Sequence, residues 1–250
     1  MDGFVNAEVA DGICTVTFFH PASNSLPGSI LSKLAKTIHT AGGDKDTRVI
    51  VLKSSGERAF CAGASFDELL ALKNETEGLE FFSGFANVIN AIRTCPKFVI
   101  GRVQGKAVGG GVGLAAAVDH CFATKHASVK LSELAIGIGP FVVGPAIERK
   151  VGTSGFSQLS IDATSWKTAS WAAQYGLYAD VFESTEEMDG AVNRLATQLA
   201  SSSPEAMKEL KKVLWKGTDD WDDKLKDLAQ ISGRLILGDF SKEAINSFKK

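Results

Sequence analysis

The chain has 250 residues, 44% of them hydrophobic, and carries 27 basic against 29 acidic side chains. This size and composition allow one large buried core, so we expect one main domain with a helical C-terminal region. The formal net charge is −2, and Lys and Arg are scattered along the chain, which gives no indication of nucleic-acid binding.

The cysteine positions and the N-terminal residues indicate which metal sites and which cellular location to expect. Cys14, Cys61, Cys95 and Cys121 lie far apart, with no CxxC pair and no His at metal-ligand spacing. We therefore expect reduced, buried thiols and no metal site. The N-terminal residues lack a basic stretch followed by an apolar run, and no apolar segment is long enough for a bilayer. The sequence thus predicts a cytoplasmic protein without a membrane span.

The first elements predict a strand, a helix and a strand. Cys14, Val16 and Phe18 alternate with threonines, a period of two that is typical of a half-buried strand. A helix is predicted next, with Asn24 or Ser25 as its N-cap and an apolar stripe at helical spacing. The run RVIVLK then reads as a buried strand.

The same pattern recurs in the middle of the chain. Apolar residues from Leu79 to Ile92 keep helical spacing, KFVIGRV predicts another strand, and HCFAT and SVKL are further strand candidates. From about Asp189, Ala, Leu, Lys and Glu dominate, and Pro204 is predicted to start a helix. We expect a core over residues 1–188 and a C-terminal helical region over residues 189–250.

Two segments carry the strongest functional signal. RAFCAGASFDEL (Arg58 to Leu69) precedes GKAVGGGVGLAAAVDH (Gly105 to His120), where four glycines lead into a Leu-Ala-Ala-Ala-Val run. The run predicts the first turns of a buried helix, whose N-terminal N–H groups have no partner within the helix. A tight loop packed against a neighbouring helix is the alternative. Ala107 and the glycine spacing exclude a Walker A loop and a GxGxxG motif.

The pairing of these segments resembles the crotonase (enoyl-CoA hydratase/isomerase) superfamily. The resemblance rests on FCAGASFDEL after RVIVLKSSGE, on KFVIGRVQGKAVGGGVGLA, and on VKLSELAIGIGP (Val129 to Pro140). It continues through ATSWKTASWAAQYGLYADVF (Ala163 to Phe182) and, more faintly, EAINSFKK. It implies an α/β fold, a spiral of stacked ββα units with a C-terminal helical oligomerisation region, assembled as a homotrimer or a dimer of trimers.

The resemblance also implies a chemistry. The substrate is expected to be an acyl-CoA thioester, with CoA as part of the substrate and no separate cofactor. The backbone amides of Ala64 and Gly110 are expected to stabilise an enolate oxygen, and Glu133 to move the proton. Hydratases of the superfamily carry a further glutamate just after the triple glycine, and Gly113 stands at that position here.

Further substrate contacts follow from the same motifs. Arg58 is expected near the CoA phosphates, and Phe66 is expected to contact the substrate or to pack beneath it. Phe248 to Lys250 resemble a C-terminal aromatic and basic cluster that reaches CoA, although a frayed tail fits equally well. The matching motifs imply that the following residues line the acyl-CoA site: Ala62, Gly109, Ile136, Gly137 and Pro140.

Several functions stay open at this point. A single carboxylate favours an allylic double-bond shift slightly over hydration. A CoA-thioester-binding protein with a degenerate active site, or a decarboxylase or hydrolase on the same scaffold, are the alternatives. Phe141 to Val143 replace the usual paired glycines, which indicates either an altered acyl pocket or core packing. Asp119 is expected to be structural.

Overall fold

The computed structural model describes residues 3 to 248. Within that range the strands fall into two sheets. The strands are β1 Phe4–Ala10, β2 Ile13–Phe19, β3 Val49–Ser54, β4 Ala59–Cys61, β5 Val99–Val103, β6 Lys106–Val108, β7 His120–Thr124, β8 Val129–Lys130 and β9 Asp180–Phe182.

Helices cover the sheets and make up the C-terminal part of the chain. They are α1 Gly28–Gly43, α2 Phe66–Ala71, α3 Glu75–Thr94, α4 Gly110–Ala117, α5 Gly144–Ile161, α6 Ala169–Gln174, α7 Thr185–Ala200, α8 Pro204–Leu214, α9 Trp221–Leu235 and α10 Asp239–Phe248. A short 3-10 turn, Leu134–Ile136, follows β8.

The sheet order confirms the predicted stacking of strand-strand-helix units. The larger sheet runs β1-β2-β3-β5-β7-β9 and the smaller one β4-β6-β8. Consecutive strands from β3 to β8 alternate between the two sheets, and every neighbouring pair after the first hairpin is parallel. The carboxyl ends of β4 and β6 therefore lie side by side, and the two segments singled out in the sequence run through these strands and into the loops that follow them.

The N-terminal part corrects two sequence expectations. Helix α1 begins at Gly28 after Pro27, which makes no side-chain cap bond, so the prediction of Asn24 or Ser25 as N-cap is wrong. The reason is that both side chains bond to distant carbonyls instead. Strand β1 was not predicted, because only Val5 in it is buried and no alternation shows.

The glycine-led helix and the C-terminal helices are confirmed. All eight residues of α4 are buried, as the apolar run predicted. The predicted division after residue 188 falls inside α7, which packs on β2, β3, β5, β7 and β9 of the larger sheet. Helix α9 lies along α3, so the C-terminal helices cover the core of their own chain. That they also join copies of the chain stays a prediction.

The cysteines are part of the core. All four cysteines are buried and unbonded to one another. Between residues 3 and 248, no helix combines the length and the apolar character that crossing a bilayer requires.

Candidate active site

A cavity lies where the loop after β4, the turn before α4 and the segment around the 3-10 turn meet. Its volume is about 530 Å³, which includes the space at its open mouth. Its walls are mostly apolar, and α3 and α9 contribute Phe82, Phe85 and Ser232. Among the described residues, the lining carboxylate is Glu133 alone. The pocket therefore suits an apolar group that meets one acid.

The loop after β4 forms the first wall of the cavity and carries the Ala64 amide. The Leu26 N–H donates to the Gly63 carbonyl at 2.7 Å, and the Ser65 N–H donates back to the Leu26 carbonyl at 3.3 Å. A trans peptide points its C=O and N–H in opposite directions, so the Ala64 N–H is directed away from Leu26. Within residues 3–248, this N–H makes no hydrogen bond. Since Ala64 lines the cavity, its amide is available there.

Two side chains hold this wall in place. Buried Asn24 donates from Nδ2 to the carbonyls of Ser55 and Ala59, both at 2.9 Å. The Ser25 hydroxyl donates to the Ala64 carbonyl at 2.8 Å. The peptide units on either side of Ala64 are thus held by hydrogen bonds to Ser25 and Leu26, which fixes the direction of the Ala64 N–H.

The turn between β6 and α4 forms the second wall of the cavity and carries the Gly110 amide. The Gly109 carbonyl accepts from the N–H groups of Val112 at 2.9 Å and Gly113 at 3.2 Å, so it points into α4. The Gly110 N–H of the same peptide therefore points off the helix N-terminus, where the helix dipole favours negative charge. Gly109 has φ 53° and ψ −118°, a conformation that only glycine adopts readily. Sequence alone had left a tight loop as the alternative, and the helix start is now established.

Glycines bring the two walls into contact. Gly63 has φ +86°, and a Cβ there would lie 2.9 Å from the Val108 carbonyl oxygen and 3.5 Å from the Gly110 nitrogen. A Cβ on Gly111 would lie 2.4 Å from the carbonyl oxygen of Cys61. Any side chain at these positions would separate the loops. The Ala64 and Gly110 amides consequently face one cavity from neighbouring strand ends.

Glu133 is the acid of this cavity. Its Oε2 is enclosed and has no hydrogen-bond partner in the described part of the chain, and its Oε1 would lie 2.9 Å from a Cβ on Gly109. Burial in apolar surroundings disfavours the carboxylate and raises the pKa of Glu133 to about 7. A carboxyl group with this pKa gives up and takes back a proton near neutral pH.

Comparisons with known proteins agree with this geometry. Residues 8–248 match the family model described as Enoyl-CoA hydratase/isomerase. The chain belongs to this family. It is 27% identical to a probable enoyl-CoA hydratase of Bacillus subtilis over 98% of the chain and 95% of that protein. It is 29% identical to a short-chain-enoyl-CoA hydratase of Clostridium acetobutylicum over 94% of the chain and 90% of that protein.

A solved structure shows the same fold. The crystal structure of an enoyl-CoA hydratase from Bacillus halodurans superposes with a TM-score of 0.90 at 20% identity, covering 98% of this chain and 99% of that one. The crotonase-type α/β fold implied by the sequence motifs is therefore confirmed.

The structure brings most of the predicted site residues together. Those that line the cavity are Ala62, Ala64, Phe66, Gly109, Gly110, Glu133, Ile136 and Pro140. Phe141, Val142 and Val143 line it as well, which favours the altered acyl pocket over core packing alone. The other predicted residues lie elsewhere or are not described.

Two of the predicted contacts that the structure describes, Arg58 and Gly137, do not line the cavity. Arg58 is exposed and outside the lining. Gly137 faces α10, since a Cβ there would lie 2.6 Å from Phe240 Cδ1. Phe248 ends α10 and its side chain is not described, and Lys249 and Lys250 lie outside the described residues. The proposed contacts of this tail with CoA stay predictions.

Sequence reasoning missed several residues of this family site. Asn24 and Ser25 were interpreted as helix caps, Phe82 and Phe85 as part of a helical core stripe, and Ser232 was not singled out. Of these residues, only Asn24 and Ser25 could have been found from the sequence. Both side chains can hydrogen-bond to backbone carbonyls as well as cap a helix. Among residues 3–248, no cluster of three or more His, Cys, Asp or Glu is placed to hold a metal ion.

Proposed function

We propose that this family member is an enoyl-CoA isomerase, which shifts the double bond of a 3-enoyl-CoA to the 2 position. The observation that carries the proposal is that Glu133 is the single carboxylate lining the cavity among the described residues. Asp67 and Glu68, which follow the first wall, do not line it, and Glu68 accepts from the Gly28 N–H at 2.8 Å.

The proposed reaction uses one base twice. With the thioester oxygen between the Ala64 and Gly110 amides, the Glu133 carboxylate removes a proton from C2, and the electron pair of that bond moves to the carbonyl oxygen. The dienolate then takes the same proton at C4, which leaves a C2=C3 double bond and the ionised carboxylate. Loss of one amide donor typically costs about 10² to 10³ in rate.

The surroundings of Glu133 support this cycle. With a pKa of about 7, Glu133 populates both its ionised and its protonated form near neutral pH, so it can remove the proton and return it. The Phe66, Phe82 and Phe85 side chains make this wall apolar, and an apolar wall strengthens the interaction between the amides and the enolate oxygen.

A second candidate is hydration of a 2-enoyl-CoA. The relatives from Bacillus subtilis and Clostridium acetobutylicum carry the name hydratase, and this favours the candidate. Hydration by this chain would need a group other than a second carboxylate to position the water.

One experiment separates the two. The purified protein is assayed side by side on a 2-enoyl-CoA and a 3-enoyl-CoA of matched chain length, with Glu133→Gln as the control. Isomerisation that the substitution abolishes supports the proposal. Hydration without isomerisation supports the second candidate. If both thioesters bind and neither reacts, both candidates fail.

A further inference from the structure

Gly113 on α4 lies directly against Val143. A Cβ at Gly113 would lie 2.4 Å from Val143 Cγ1 and 2.6 Å from Val143 Cβ. Carbon atoms in contact are normally about 3.5 to 4.0 Å apart. No side chain fits at position 113 while Val143 stays where it is.

A shift of Val143 away from Gly113 would disturb the start of α5. Its side chain is buried, with 4% of the residue exposed, and it immediately precedes α5. The next residue, Gly144, is held from the other side, since a Cβ there would lie 2.9 Å from the Phe156 ring. A shift of Val143 would displace the start of α5, which packs on α4.

Val143 also lines the cavity that contains Glu133. We infer that Val143 determines which reaction the cavity supports, because its methyl groups occupy the space next to Gly113 that a second carboxylate and its water would need. The inference rests on the proposed isomerase function and assigns its selectivity to the pair Gly113–Val143.

The two reactions differ in what this space must supply. Hydration joins the oxygen of a water to C3 and a proton to C2, so a group must hold that water and take its other proton. Isomerisation moves one proton from C2 to C4 and needs no water. A water beside the valine methyl groups would lack hydrogen-bond partners on that side, which disfavours its binding.

The test compares the wild type with Gly113→Glu, Val143→Gly and the double variant Gly113→Glu/Val143→Gly. Each protein is assayed for hydration of a 2-enoyl-CoA and isomerisation of the matched 3-enoyl-CoA. We expect the double variant to raise the ratio of hydration to isomerisation at least tenfold, and Gly113→Glu alone to leave the ratio low. A rise with Gly113→Glu alone as large as in the double variant, or no rise in the double variant, would overturn the inference.

Val142 provides a matched control. It is as buried as Val143 and lines the same cavity, but no Val142 atom is among those nearest to a Cβ at Gly113. Gly113→Glu/Val142→Gly is therefore expected not to raise the ratio. An equal rise in this variant would show that added space anywhere in the wall suffices, which contradicts a specific role for Val143.

A stability cycle tests the pair even if the glutamate variants fold poorly. Gly113→Ala is expected to lower Tm by at least about 3 °C in the presence of Val143, and by less than half as much in the Val143→Gly background. Equal losses in both backgrounds would overturn the inference.

The outcomes separate the two claims. A wild type without isomerase activity overturns the proposed function and, with it, the role of Val143 in reaction choice. A wild type that isomerises but shows no coupling between the two positions overturns the role of Val143 alone.

Discussion

Two buried carboxylates, Glu133 and Asp119, lie in opposite settings. The Asp119 side chain is 4% exposed, and its oxygens accept from the Val99 N–H at 2.7 Å, Lys211 Nζ at 2.8 Å and Trp215 Nε1 at 2.7 Å. The Glu133 Oε2 is equally enclosed and has no partner among the described residues. One carboxylate ties α8 to the core, and the other faces a cavity.

The two carboxylates are alike in burial and differ in the hydrogen-bond donors around them. Three donors around Asp119 replace the hydrogen bonds that water would give to a carboxylate. Burial raises the pKa of Glu133 to about 7, and among the described residues only its own backbone N–H favours the charged form. Substitutions at these two residues and in the cavity wall test this contrast.

The largest effect is expected for Glu133→Gln in the catalytic assay. The amide keeps the shape of the side chain but cannot accept a proton, so kcat for the favoured reaction should fall about 10³-fold, which corresponds to about 4 kcal/mol in the barrier. Steady-state kinetics measure the loss. Glu57→Gln, at an exposed glutamate, is the control and should leave kcat unchanged. Retained activity in Glu133→Gln would contradict the role of this residue.

Asp119→Ala is expected to show the opposite profile, with a loss of stability. Removal of the carboxylate leaves the buried Lys211 ammonium without its counter-charge, which should lower the free energy of unfolding by about 3 to 5 kcal/mol. Urea denaturation measures the change. Asp222→Ala is the control, because Asp222 pairs with Arg93 from a 71% exposed side chain and should cost about 1 kcal/mol or less. Similar losses in both variants would show that the Asp119 network contributes little.

The pH dependence of stability should differ between the wild type and Glu133→Gln. The pKa of Glu133 is raised from 4.5 to about 7 on folding, so between these values the folded state binds a proton that the unfolded state has released. The wild type should therefore lose up to about 3 kcal/mol relative to the variant as pH rises from 4 to 8. Urea titrations of both proteins across this range measure the difference. A constant difference would mean that the carboxylate is stabilised by a group not considered above.

The pH dependence of kcat/KM reports the pKa of Glu133 in the folded enzyme. If the ionised carboxylate is the base, kcat/KM should fall about tenfold for each pH unit below about 7. The rate is measured with a 3-enoyl-CoA between pH 5 and 8. A flat profile, or an inflection near pH 4.5, would contradict proton removal by a buried Glu133.

The smallest effect is expected for Ser25→Ala. This hydroxyl positions the first wall through the Ala64 carbonyl, and loss of one neutral hydrogen bond is worth about 1 kcal/mol. We expect kcat to fall by about tenfold or less, with KM little changed, in the steady-state assay. Ser29→Ala, at an exposed serine of α1, is the control. A loss as large as that of Glu133→Gln would place Ser25 in the chemistry itself.

Local patterns predicted the parts of the fold that depend on neighbouring residues. The alternation around Val16, the apolar run of α4 and the proline at the start of α8 all lie in the expected elements. Strand β1 escaped notice because it is an exposed edge strand, although Asp11 and Gly12, both with positive φ, form the turn that joins it to β2. An Asp-Gly pair is a strong hairpin signal, so this element was within reach of the sequence.

Long-range contacts account for the rest. The sequence singled out Asp119 and Glu133 as lone acids, but the Lys211 and Trp215 partners of Asp119 come 92 and 96 positions later. Asn24 and Ser25 were assigned to a local cap because capping rules consider only the next few residues. The same limit applies to Gly113, where the sequence shows a missing glutamate and only the structure shows Val143 in its space.

The contact between α3 and α9 makes the C-terminal region part of the wall of the Glu133 cavity. Gly78 and Gly233 meet backbone to backbone, and a Cβ on Gly78 would lie 2.6 Å from the Gly233 carbonyl oxygen. Phe82 and Ser232, which line the cavity, lie close to these two glycines along their helices. A methyl group added at either glycine would act as a wedge between the helices and widen the cavity from a distance, without changing any residue that lines it.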